Sequence, residues 1–112
     1  MTEHTIERRA HPRAKASLPI TIGAADRRIA ARVRDLSRSG ISFFAPTPFK
    51  EMTAVKVDLE LPGAKPTQVR ADGAVVRCVK VDGEYEVAIF FTAIGDGDRD
   101  AIGRLVEAKL KA

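Results

Sequence analysis

The sequence predicts an all-β fold, a six-stranded antiparallel β-barrel followed by one C-terminal α-helix. Six short apolar runs have strand character and are separated by turn-forming Gly, Pro and Asp residues. The pair Asp82-Gly83 lies between the last two runs and is a strong hairpin signal. After residue 95 the spacing of apolar residues changes from the period of a strand to that of a helix.

The first three strands lie in the N-terminal half of the chain. Residues 18–22 alternate in polarity and predict the first strand, and Pro19 favours an edge position or a strand start. Residues 28–34 predict the second strand and residues 41–45 the third. Between these two, residues 35–40 are rich in turn formers, and we expect a turn there.

The last three strands carry clearer signals. Residues 55–61 alternate strictly between apolar and polar side chains, which is typical of a half-buried strand. Residues 68–81 predict a long fifth strand whose phase slips at Asp72-Gly73, where we expect a β-bulge. The hairpin turn at Asp82-Gly83 then leads into a sixth strand over residues 85–91.

The tail, residues 96–112, is predicted to form an amphipathic helix. Four apolar residues fall on one of its faces: Ile102, Leu105, Val106 and Leu110. Gly103 lowers the intrinsic stability of the helix by about 1 kcal/mol relative to Ala. We therefore expect the apolar face to dock on the barrel, so that the helix belongs to the same domain.

The expected organisation is a flexible arm over residues 1–14, the barrel over residues 15–95 and the helix over residues 96–112. The 112 residues fit one domain. No apolar run approaches the ~20 residues that cross a bilayer, and the N-terminus lacks an apolar signal region. A single cysteine, Cys78, excludes an intrachain disulfide. Cytoplasmic residence is the expectation that follows.

Enzymatic function is not expected. The sequence contains no phosphate-binding loop and no nucleophile elbow. His4, His11 and Cys78 are too few and too scattered for a metal site. We therefore predict no catalytic residues, no metal and no cofactor.

Charge is distributed unevenly along the chain. The net charge is +4, with a balance of +5 over residues 1–40 and −1 over residues 41–112. Eight of the nine cations in the first segment are Arg. Because guanidinium groups make forked contacts with phosphate and stack on aromatic rings, this bias indicates a phosphate-bearing, aromatic partner. The alternative is a solvated basic face that only aids solubility.

The stretch from Asp35 to Gly40 also has two interpretations. Asp35 falls where the alternation of the second strand calls for an inward residue, so the alternation is broken or the strand ends. Taken alone, the stretch favours a simple turn. A carboxylate at Asp35 and a hydroxyl at Ser37 would also point the same way on an extended chain, and Gly40 lets backbone approach a ligand closely.

A second motif upstream favours the ligand-binding interpretation. Arg9-x-x-x-Arg13 and Asp35-x-Ser37-x-x-Gly40 together resemble the two signature motifs of the PilZ domain, a bacterial receptor for cyclic di-GMP. The spacing within each motif matches without gaps, and the resemblance covers about residues 7–111. It implies a PilZ-like split barrel.

The resemblance also implies roles for individual residues. Arg9 and Arg13 would contact phosphate and guanine from the arm, while Asp35 and Ser37 would hold guanine and phosphate groups from the barrel surface. Gly40 would keep the shape of the backbone. These residue types suit the ligand, because guanidinium groups can bind phosphate oxygens and the guanine O6/N7 edge.

Other positions qualify this assignment. In the family, an Arg at the position of Arg8 accompanies binding of a stacked pair of ligands. For Arg32, Arg34 and Arg38, we favour a solvated surface over a place at the rim of the site. Ala88 in the sixth strand stands where many members of the family have Gly.

The leading hypothesis is a single-domain cyclic di-GMP receptor. The ligand would order the N-terminal arm against the barrel, and the new surface would act on a separate effector protein in motility or biofilm control. One alternative is a protein-interaction module with lost or weak nucleotide binding. The other is a basic nucleic-acid-binding barrel, although nucleic acid is not the expected partner, since Trp is absent and such barrels stack bases on exposed aromatics.

Overall fold

The computed structural model describes residues 14–15, 17–24, 27–63 and 65–111. This part of the chain contains seven strands and one helix. They are β1 (Ala14–Lys15), β2 (Pro19–Ala24), β3 (Arg27–Ser37), β4 (Gly40–Ala45), β5 (Ala54–Leu61), β6 (Thr67–Val81), β7 (Glu84–Ile94) and α1 (Asp96–Lys111).

Six of the strands close into an antiparallel barrel. Strands β3, β2, β5, β6, β7 and β4 are hydrogen-bonded in that order, and β4 pairs back to β3 to complete the ring. This confirms the predicted six-stranded antiparallel barrel. The two-residue strand β1 was not predicted. It pairs with Asp35 and Leu36 on the edge of β3 opposite β4.

The irregularities of β6 and its hairpin follow the sequence signals. The β6–β7 register shifts between Asp72 and Gly73, which confirms the predicted bulge, and shifts again further along the strand. A Cβ at Gly73 would come within 2.9 Å of the backbone oxygen of Phe90, so the close approach of β7 requires glycine. In the β6–β7 turn, Asp82 and Gly83 have φ values of 51° and 85°. This left-handed conformation is the one that a two-residue hairpin needs.

The core fills the barrel and continues under the helix. Its largest fully buried side chains alternate along the strands and include one helix residue: Phe43, Ile22, Leu36, Leu59, Ile102, Val57, Val69, Val75 and Val87. Helix α1 packs on β1, β3, β5 and β6 and contributes Ile102 and Val106 to the core. The predicted apolar face is wrong at Leu110, which is 53% exposed near the end of the helix.

Candidate functional site

A β-bulge in β3 brings the predicted Asp35 to the outer surface of the barrel. Val33 pairs with Phe43 and Asp35 pairs with Ser42, which leaves Arg34 as an extra residue between them. Val33 is buried in the core, whereas Arg34 is exposed and Asp35 is only half-buried. The expected end of the strand at Asp35 is therefore wrong, since β3 continues to Ser37. The bulge resolves the broken alternation, because one extra residue re-aims the side chains that follow.

The Asp35 carboxylate is held on two sides. The hydroxyl group of Ser42 donates a hydrogen bond of 2.9 Å to Oδ1 of Asp35. The guanidinium group of Arg34 lies 3.4 Å from Oδ2. The side chain of Asp35 retains 14% of its exposure, so its carboxylate is oriented and still reaches the surface.

Arg34 connects this carboxylate to the neighbouring strands. Its Nη1 atom lies 2.7 Å from Oε2 of Glu86 in β7. Its guanidinium carbon lies 5.9 Å from the ring centroid of Phe44 in β4, within the range of a cation–π contact. Arg34 is exposed, as expected for a surface residue, and its guanidinium group also links Asp35 to Glu86.

Ser37 shapes the turn that follows β3. Its side chain is buried, and its Oγ accepts hydrogen bonds from the backbone N–H groups of Ser39, at 3.1 Å, and Gly40, at 3.2 Å. The hydroxyl groups of Ser37 and Ser39 also lie 3.1 Å apart. This is the side-chain-to-backbone bonding by which serine fixes a turn. The turn itself is confined to Arg38 and Ser39.

Gly40 begins β4 at a point where its backbone lies close to that of β7. A Cβ at this position would collide with the backbone oxygen of Ile89. Gly40 pairs with Phe90, and the N–H of Phe91 donates a hydrogen bond of 2.8 Å to the carbonyl oxygen of Ser39. The glycine is therefore required by the contact between two backbones.

The predicted arm residues Arg8, Arg9 and Arg13 lie outside the described residues. The described chain starts at Ala14, which pairs with Leu36, while Lys15 pairs with Asp35. The first described residues therefore lie directly beside the Asp35 motif.

A basic cleft lies next to β1. Its charged lining residues, among those the structure describes, are all cations: Lys15, Arg32, Arg34 and Lys109. Phe44 also lines the cleft. Arg32 donates hydrogen bonds of 2.9 Å to both the hydroxyl and the carbonyl oxygen of Ser17, so its guanidinium group is held in place. The cleft combines positive charge with an aromatic ring beside Asp35.

The outer face of β5 and β6, across the barrel, has a different electrostatic character. Lys56 and Asp72 form an ion pair at 2.8 Å, and Arg70 and Asp58 form another at 3.0 Å. The hydrogen bond that Lys56 donates to the Asp72 carboxylate, together with the negative charge of that carboxylate, raises the pKa of Lys56 above its usual value. Positive and negative groups alternate here, so this face offers no concentrated charge of one sign.

The sequence analysis missed three contacts around Asp35: those of Arg34 and Ser42 with its carboxylate, and that of Glu86 with Arg34. Ser42 lies on the outward phase of β4, between the buried Ile41 and Phe43. A small polar residue two positions after the motif was the available signal. The contacts of Arg34 and Glu86 depend on strand pairing and carry no signal in the linear sequence.

Two absences apply to the described part of the chain. No helix there combines the length and hydrophobicity needed to span a membrane. No group of three or more His, Cys, Asp or Glu side chains comes close enough together there to hold a metal ion.

The closed barrel with a C-terminal helix, and a surface carboxylate next to a serine-fixed turn, define a small β-barrel domain with a candidate binding surface. The sequence model of the PilZ domain matches residues 7–108. The chain therefore belongs to the PilZ domain family. None of the curated proteins compared with it is significantly similar in sequence.

Solved structures share the fold. The inhibitor of motility MotI/DgrA from Bacillus subtilis superposes with a TM-score of 0.87 at 19% identity, covering 93% of this chain and 52% of that one. The PilZ domain of Escherichia coli YcgR, solved with c-di-GMP, gives a TM-score of 0.72 at 13% identity, covering 93% of this chain and 92% of that one. The Klebsiella pneumoniae MrkH–c-di-GMP complex gives 0.72 at 16% identity, covering 93% and 52%. This chain thus spans about half the length of MotI and MrkH.

Proposed function

We propose that this chain is a receptor for cyclic di-GMP that uses both signature motifs. The ligand binds on the outer surface of the barrel at the β3–β4 turn, and residues 1–14 form an arm that closes over it. The proposed ligand-binding residues are Arg8, Arg9, Arg13, Asp35, Ser37 and Gly40. No catalysis is involved, and the ligand is a signal without any accompanying cofactor.

The pairing of β1 with β3 is the observation that carries the proposal. Ala14 lies opposite Leu36, the residue between Asp35 and Ser37. Arg13 is bonded to Ala14, and consecutive Cα atoms lie about 3.8 Å apart. Arg13 therefore directly precedes the residue of β1 that pairs with the second motif in β3. An arm attached here can bring its guanidinium groups to a ligand that also contacts Asp35.

The electrostatics of the surface support a doubly anionic ligand. The basic cleft beside Asp35 supplies Lys15 and Lys109 in addition to the Arg residues of the arm. Charge-assisted hydrogen bonds from Arg to phosphate are among the strongest in proteins. The Asp35 carboxylate can accept hydrogen bonds from the N–H groups of guanine. One small region therefore offers partners for both the phosphates and the bases.

Besides its proposed contact with the ligand, Ser37 shapes the turn, and Gly40 acts through the shape of the turn alone. The Ser37 hydroxyl holds two backbone N–H groups, and Gly40 lets β4 approach β7. Together they fix the backbone that presents Asp35. The arm and barrel with bound ligand form a composite surface, which acts on a separate effector protein in the bacterial cytoplasm, in a process such as motility or biofilm formation.

Isothermal titration of the full chain with cyclic di-GMP tests the proposal. We expect wild-type protein to bind, and Arg9→Ala and Asp35→Ala each to abolish binding or weaken it greatly. Arg70→Ala and Asp58→Ala are matched controls on the opposite face of the barrel, and both should bind like wild type. Undiminished affinity in both Arg9→Ala and Asp35→Ala would refute the site.

The same samples separate the alternatives. Salt-dependent binding to a mixed-sequence oligonucleotide, without any response to cyclic di-GMP, would establish the nucleic-acid-binding barrel instead. Phe44 and Phe90 are partly exposed, so they could stack on bases in this alternative. A partner protein that is captured equally with and without nucleotide would indicate an interaction module that has lost its ligand.

A further inference from the structure

We infer that Ser42 is a positioning residue that orients the Asp35 carboxylate for guanine and so sets the preference for guanine over adenine. The inference rests on the proposed function and extends it to a residue outside both signature motifs. Ser42 acts through Asp35 and needs no contact of its own with the ligand.

Burial of Ser42 is the first observation. Its side chain points outward from β4, yet Ser42 is only 2% exposed. A buried hydroxyl group without a partner is costly, so such groups are almost always hydrogen-bonded. Its partner is Oδ1 of Asp35, at 2.9 Å. Because an ionised carboxylate only accepts, the serine must donate, and the direction of this bond is fixed.

Arg34 supplies the second constraint. Its guanidinium group lies 3.4 Å from Oδ2 of Asp35 and 2.7 Å from Oε2 of Glu86. Glu86 thus anchors the cation that contacts Asp35. With Ser42 on Oδ1 and Arg34 on Oδ2, both oxygens have a defined position. Removal of the Ser42 hydroxyl group takes away the contact on Oδ1 and leaves the contact of Arg34 with Oδ2, so the orientation of the carboxylate is less tightly fixed.

Guanine recognition depends on this orientation. The Watson–Crick edge of guanine presents two adjacent N–H donors, which match the two oxygens of one carboxylate. The corresponding edge of adenine has an acceptor nitrogen next to its single amino group. One carboxylate oxygen would then face the lone pair of that nitrogen, and the two would repel each other. A site built to pair specific hydrogen-bonding groups rejects analogues that cannot make them. The discrimination weakens when the carboxylate can turn away.

The test compares cyclic di-GMP with cyclic di-AMP on the full chain. We expect Ser42→Ala to weaken cyclic di-GMP binding by about tenfold, because a less well oriented Asp35 carboxylate loses about one charge-assisted hydrogen bond to guanine. Affinity for cyclic di-AMP should change much less, so that the ratio of the two affinities falls. Ser42→Cys keeps the packing with a weaker donor and should fall between, which covers the case in which Ser42→Ala folds poorly.

Controls distinguish positioning from general stability. Ser42→Thr retains the hydroxyl group and should restore the preference for guanine. Thr67→Ala removes an exposed hydroxyl group from β6 and should leave both affinities unchanged. If the wild-type protein binds cyclic di-GMP but the ratio of the two affinities is unchanged in Ser42→Ala and Ser42→Cys, this inference is overturned and the proposed function stands. An equal loss of both nucleotides, together with a lower melting temperature, would also overturn it. Absence of wild-type binding would overturn the proposed function, and this inference with it.

Discussion

The guanidinium group of Arg38 packs against the backbone of Gly103, so closely that helix α1 has no room for a side chain at that position. Arg38 belongs to the β3–β4 turn, between Ser37 and Ser39. Its Nε is buried and has no hydrogen-bond partner among the residues that the structure describes. The expectation of a solvated Arg38 is therefore wrong. The turn that carries the Asp35 motif is in direct contact with the C-terminal helix.

This contact predicts an energetic coupling between Arg38 and Gly103. Ala favours a helix over Gly by about 1 kcal/mol, so Gly103→Ala should stabilise the protein by that amount once Arg38 is replaced by Ala. In the wild-type background the new methyl group must displace the guanidinium group, so the gain in the free energy of unfolding should shrink or vanish. Urea denaturation of the two single variants and the double variant should give a coupling energy of at least about 0.5 kcal/mol.

Gly97 provides the matched control for this cycle. It lies in the first turn of the same helix, and a Cβ there would meet nothing within 4 Å. Gly97→Ala should change the free energy of unfolding equally with and without Arg38. If Gly103→Ala also gave equal changes in both backgrounds, Arg38 would not be held against the helix.

Gly40→Ala is expected to destabilise the barrel whether or not ligand is present. The added methyl group would collide with the backbone oxygen of Ile89, and backbone cannot move aside as a flexible side chain can. We expect a loss of about 2 to 3 kcal/mol, typical of overpacking, measured by thermal or urea unfolding. Gly23→Ala is the comparison, because the nearest atom to its Cβ would be 4.0 Å away. Equal stability of the two variants would contradict the close approach of β4 to β7.

Ser37→Ala should destabilise the turn locally without unfolding the barrel. The substitution leaves the N–H groups of Ser39 and Gly40 without the side-chain acceptor that they share. The expected cost is about 1 to 3 kcal/mol, the penalty for buried donors that lose their partner. Amide hydrogen exchange should accelerate at these two residues and stay slow at the centre of β5. Unchanged protection of both amides would show that other groups hold the turn.

Most of the barrel was predictable because its signals are local. The strict alternation of apolar and polar residues over residues 55–61 reflects a strand with one buried and one solvated face. The phase slip at Asp72-Gly73 marks a bulge because glycine permits the close approach of a neighbouring strand there. The turn at Asp82-Gly83 is encoded by residues that tolerate positive φ. Each of these features depends on a few adjacent residues.

The misplaced end of β3 and the missed parts of the site have non-local causes. Asp35 stays in a strand because the bulge at Arg34 turns its side chain outward, and the bulge exists only through pairing with β4. The short β1 has too few residues for a periodic pattern. Glu86 is 52 residues from Arg34 in the chain, and only strand pairing brings them together. The family motifs identified Asp35 but not the side chains that hold it.

Ala88→Leu should weaken cyclic di-GMP binding while leaving the barrel intact, provided that the ligand lies on the proposed face. Ala88 is the strand partner of Ser42, and its side chain is half-buried on the outer surface, so a larger side chain there would cover the approach to Asp35. We expect an affinity loss of at least about tenfold, because overpacking by the larger Leu side chain costs more free energy than a single contact contributes. Ala30→Leu makes the same change at an exposed position of β3 and should leave affinity unchanged. Titration calorimetry and melting temperatures of both variants would check this. Wild-type affinity in Ala88→Leu would place the ligand on another surface.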